Sequence, residues 1–95
     1  MGQLHIKGRI LQLINENKAL WDYEVADKIL VEYNLTSDYW KKTVRVTLTD
    51  LYSSGLIESL EEKLDDGKHF EQDKILFKFA MTGFGLSRMR DTALL

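Results

Sequence analysis

The chain has no cysteine and no proline among its 95 residues. Without cysteine, neither a disulfide frame nor a thiolate zinc site can form, and a reducing compartment such as the cytoplasm suits the protein. Without proline, rigid turns and polyproline ligands drop out. Long hydrophobic runs are missing too. The opening MGQLHIKGRILQL mixes Lys7 and Arg9 into its apolar residues, and no stretch approaches the roughly 20 apolar residues that span a bilayer. A soluble cytoplasmic protein with no membrane partner is expected. A large positive excess is also absent: 13 Lys and Arg against 15 Asp and Glu give a net charge of −2. That balance argues against indiscriminate coating of nucleic acid but leaves room for a local basic patch.

What is present is ordinary globular material, 44% hydrophobic and 29% charged, enough for one core in a single domain over 1-95. Ile6, Ile10, Leu13 and Ile14 recur at helical spacing and predict a first helix over about 4-16. ALW at 19-21 reads as a short extended segment, and Asp22 as the N-cap of a second helix over about 22-33, striped by Val25, Ala26, Ile29 and Leu30. A third helix spans about 38-53 and stops at Gly55. On a wheel of about 100° per residue, Trp40, Val44, Thr47, Leu48 and Leu51 share one side, with Lys42, Arg45, Val46 and Thr49 opposite and Lys41 flanking. Two strands follow, about 56-64 and 74-81, around a charged turn at Gly67, with Ile75, Phe77, Phe79 and Met81 expected on one face of the second. Thr82 caps a last helix over about 83-94. The fold class is therefore α+β and mainly α: a winged helix-turn-helix, with a three-helix bundle, a β-hairpin wing and a short C-terminal helix.

Within this order TVRVTLTDLYSSGLIES resembles winged-helix transcriptional repressors, whose helix with two spaced leucines ends at Gly-Leu-Ile before the wing. FKFAMTGFGLSRM is similar to the ending of PadR-type regulators, with Met81, Thr82, Gly85 and Met89 at the corresponding places, and WDYEVADKIL resembles the first helix of their helix-turn-helix. More distantly the chain is similar to the MarR and penicillinase-repressor families. Asp50, Ser53 and Ser54 stand where such relatives often carry basic residues, and the last helix is short beside the long dimerisation helix of larger PadR proteins. The resemblance implies a DNA-binding transcription regulator, a repressor acting as a homodimer on double-stranded DNA.

For that task Arg45 has the chemistry to grip a guanine edge, Lys41 and Lys42 to reach phosphates, Val46 to touch a thymine methyl and Thr49 to contact the groove, with Lys68 at the wing tip. The dimer interface is assigned to Ile6, Phe84, Leu86, Met89 and Leu94. Trp21 and Trp40 are assigned to packing. Against DNA stands the wing, where Glu58, Glu61, Glu62, Asp65, Asp66, Glu71 and Asp73 outnumber Lys63, Lys68 and Lys74. An acidic wing of this kind suits the alternative of a protein-protein interaction module or assembly subunit that binds an unidentified protein partner and no DNA. No enzyme is expected: His5 and His69 lie far apart with no nucleophile beside them, no metal site or cofactor is indicated, and GFG at 83-85 lacks the lysine and spacing of a phosphate loop.

Overall fold

The structure is a computed structural model and describes residues 5–92. Its elements run α1 (Ile6–Glu16), β1 (Ala19–Trp21), α2 (Asp22–Glu32), α3 (Asp38–Ser53), β2 (Ile57–Leu64), β3 (Ile75–Met81) and α4 (Gly83–Asp91). This is a small α+β architecture of winged-helix type.

Each helix turns an apolar stripe inward. Ile10, Leu13 and Ile14 of α1, Val25 and Ile29 of α2, and Val44, Leu48 and Leu51 of α3 meet Leu20, Ile57, Phe79 and Met89 in one core. Each such aliphatic side chain contributes about 1.5–3 kcal/mol when removed from water, so α3 is anchored chiefly by its three buried residues. Arg9 ties α1 to α2 from outside, its Nε donating to Glu32 at 2.7 Å and its Nη1 to Glu16 at 3.3 Å. Arg9 therefore serves the helix pair and adds nothing to a basic face. At the end of α3, Gly55 takes φ +80°, which lets Leu56 N–H donate back to Leu51 O and turns the chain into β2.

Three expectations need correction. First, the extended ALW segment joins the wing: the sheet is three-stranded in the order β1-β3-β2, antiparallel throughout. Leu20 pairs with Phe79 and Ile57 with Met81, so β3 becomes a central strand rather than one arm of a hairpin. Second, the N-cap of α2 is Trp21, whose N–H donates to the Glu24 carboxylate at 2.9 Å. Asp22 is the first helical residue and is buried, accepting from its neighbour Tyr23 N–H and, across the fold, from Phe77 N–H at 3.3 Å. Third, the burial of β3 does not simply alternate. Leu76 is fully buried, since a central strand is covered on both faces, while Ile75 at the start of the strand is half exposed. Beside this sheet runs an aromatic row, with Trp21 stacked on Tyr23 at 6.1 Å. Lys63, the cross-strand partner of Leu76, places its ammonium 4.6 Å from the Trp21 ring, and His69 stacks on Tyr23 with centroids 3.7 Å apart.

A bulge between Ser59 and Glu61 takes Leu60 out of the pairing register, and both Leu60 and Leu64 are exposed. Met89, expected on a dimer face, is fully buried in the core; a turn of α4 has to cover the sheet end, and Met89 is the residue that does so. Leu86 and Ile6 are partly covered by the core, Phe84 is 57% exposed, and Leu94 lies outside the described residues.

Candidate nucleic-acid interface

The third helix presents its outer face beside the wing loop, and a groove of about 670 Å³ opens between them. Lys41, Lys42, Arg45, Val46 and Thr49 line its helix side; Phe70, Glu71 and Lys74 line the loop side. Among the site residues expected from sequence, these five α3 positions come together. Lys68 does not join them: it sits exposed at the loop tip, with its ammonium 3.7 Å from Asp66.

Arg45 is the residue that joins the two walls. Its Nη2 donates to Ile75 O at 3.1 Å and its guanidinium lies 4.7 Å from the centre of the Phe70 ring. A guanidinium held by a carbonyl and an aromatic face is fixed in direction, so Arg45 positions the wing against α3 as well as offering its remaining N–H groups to the groove. Lys42, Val46 and Thr49 are exposed, and Lys41 is partly covered. The Thr49 hydroxyl donates to Arg45 O at 3.0 Å, one turn back in its own helix, which leaves its methyl and its oxygen lone pair for a ligand.

The wing loop owes its shape to an acid that sequence reasoning assigned to solvent. Asp65 is buried, and its carboxylate accepts from the N–H groups of Gly67, His69, Phe70 and Glu71. Burial pushes its pKa upward, but the four N–H donors outweigh it and hold the group down at about 2. The N–H of Phe70 is one of those donors, so Asp65 indirectly sets the ring on which Arg45 rests. Because the folded pKa is depressed, the stabilisation is present above the unfolded value of about 3.9 and is lost as pH falls toward 2. An Asp65→Ala variant is expected to speed amide exchange of residues 67–71 about tenfold or more while protection in α1 and α2 stays unchanged, and hydrogen exchange at neutral pH checks this.

The acids of the wing are partly spoken for. Asp65 is internal, Glu61 pairs with Lys78 at 3.4 Å and Glu71 with Lys74 at 3.5 Å. Around the groove itself the cations Lys41, Lys42, Arg45 and Lys74 face the anions Asp38, Asp50 and Glu71, a surplus of one positive charge (4 − 3) on a chain that is negative overall. Phe70 and Lys74 are functional candidates that sequence reasoning missed. A contact between residues 25 apart, Arg45 and Phe70, leaves no periodic trace in a sequence.

No family model matches the chain, and no curated protein matches it in sequence. Among solved structures, RosR of H. salinarum shares its fold, with a TM-score of 0.68 and 19% identity, over 96% of this chain and 71% of that one. The match extends over nearly all of this chain, so the overall fold is common to both.

Proposed function

We propose that the protein binds double-stranded DNA as a small sequence-specific transcription regulator, acting as a repressor, with α3 in the major groove. The observation that carries this reading is the local positive surplus around an exposed α3 face, set in a winged-helix fold on a chain of net negative charge. The fold shared with RosR supports it. Lys41 and Lys42 reach phosphates, Arg45 offers N–H donors to a guanine edge or a phosphate, and Val46 and the Thr49 methyl supply apolar contact to thymine. Two copies would place two α3 helices on two half-sites, and Phe84 of α4, which is exposed, is the residue we assign to joining them. Sedimentation giving the mass of two chains checks the dimer.

A mobility-shift selection on random duplexes at low salt tests the reading. Enrichment of one motif is the expected result, and failure to retain any duplex would overturn it. The modest surplus of charge predicts tight binding at low ionic strength that fades steeply near physiological salt.

A further inference from the structure

On the other flank of Arg45 lies a second cavity, about 400 Å³, between the C-terminal half of α3 and the face of β3. Its walls are Leu48 and the rings of Tyr52, Phe77 and Phe79, with Arg45 at one side and the Asp22 carboxylate beneath. Tyr52 and Phe79 stand 6.1 Å apart at 49°, and Phe77 stacks on Phe79 at 5.8 Å. We propose that this cavity is a binding site for a small planar aromatic cation, such as an aryl amidinium or protonated heteroaromatic amine, lying against the ring faces with its N–H groups on Asp22.

Size and chemistry both point there. A volume of this order admits one or two fused rings, within the usual range of about 300–1,000 Å³ for small-ligand sites. The Asp22 carboxylate is 2% exposed, yet its partners are the backbone N–H groups of Tyr23 and Phe77, one on each oxygen. Each oxygen therefore retains acceptor capacity. Among the described residues no side-chain cation forms an ion pair with it; Arg45 acts on it only through space, its guanidinium being turned to Ile75 O and the Phe70 ring. With the Arg45 guanidinium engaged by Ile75 O and the Phe70 ring, the buried carboxylate without an ion-pair partner and the aromatic faces, negative at their centres, favour a cation over an anion despite the arginine in the wall. The hydrophobic walls favour a flat ring over an aliphatic amine.

The test uses benzamidinium, with neutral benzamide and anionic benzoate of the same shape, titrated against the whole chain by amide NMR without nucleic acid, so it stands apart from the DNA reading. Saturable shifts at Asp22, Tyr52, Phe77 and Phe79 are expected, with benzamidinium binding at least about tenfold tighter than either analogue, in the millimolar range typical of so small a ligand. Asp22→Asn is expected to erase that preference. Tyr52→Ala, which changes a half-exposed residue, is expected to weaken benzamidinium at least about threefold without altering the melt. Benzoate binding as tightly as benzamidinium, shifts centred elsewhere, or no saturation by about 20 mM would overturn the proposal.

Discussion

Reversing two charges, Lys41→Glu with Lys42→Glu, is expected to lower affinity for double-stranded DNA by about 100-fold or more at low salt while leaving the thermal melt within about 2 °C. Both lysines lie on the outer side of α3 and neither has an ion-pair partner among the described residues, so the fold does not depend on them. Two phosphate contacts per chain, from Lys41 and Lys42, contribute about −1.8 to the slope of log K against log salt. Removing both should make the slope shallower by about 1.8, and the new carboxylates add repulsion to the lost attraction. Fluorescence anisotropy on the selected duplex across a salt series measures both quantities. If affinity fell but the slope stayed at its original value, the lysines would not be meeting phosphates and the proposed docking face would be wrong.

Arg45 differs from those lysines. It holds the wing through Phe70 and Ile75 O, so its replacement alters the shape of the groove along with its charge. A loss of DNA affinity on changing Arg45 alone would thus mix two causes. The lysine pair is the cleaner probe, and Arg45→Lys is instructive beside it: the charge remains while the planar fork that fits a carbonyl and a ring together is removed.

The contrast between these residues shows how much of the molecule was legible in its sequence. Helical spacing marks local matters, so α3 reads directly from Val44, Leu48 and Leu51 on one side and Lys42, Val46 and Thr49 on the other. Contacts that cross the chain leave no such period. The pairing of ALW with β3 is non-local, and three residues are too few for an alternating pattern to announce a strand. Asp22 looks like an ordinary cap because a carboxylate before a helix usually is one; only the nearness of Phe77 N–H, 55 residues on, makes it an interior anchor. Asp65 hides in the same way within a run of acids that composition alone reads as solvated. Met89 shares the helical spacing of an outward stripe and is claimed by the core because the sheet end needs covering.

Gly85→Ala is expected to destabilise the domain by roughly 3 kcal/mol, at the upper end of the usual cost of overpacking, lowering Tm by about 12–20 °C for a chain of this size. The GFG segment at 83-85 contains two glycines with opposite demands on space. A Cβ at Gly83 would meet nothing within 4 Å, whereas one at Gly85 would run into the Leu56 carbonyl oxygen and approach the Met81 methyl at 2.8 Å. Leu56 cannot readily yield. Its carbonyl accepts from Thr82 N–H at 3.2 Å, the Thr82 hydroxyl donates to the adjoining Gly55 O at 2.6 Å, and the same hydroxyl accepts from Gly85 N–H at 2.9 Å to cap α4. The bare Cα of Gly85 thus lets the start of α4 press against the turn between α3 and β2, and that seating brings Met89 into the core. Gly83→Ala, at an open first-turn position, should be neutral or slightly stabilising, since alanine favours the helix over glycine by about 1 kcal/mol. Circular-dichroism melts of the two variants separate the steric cause from a general intolerance of α4 to substitution: a fall in both would point to the helix itself, and a fall in Gly85→Ala alone to the contact with Leu56.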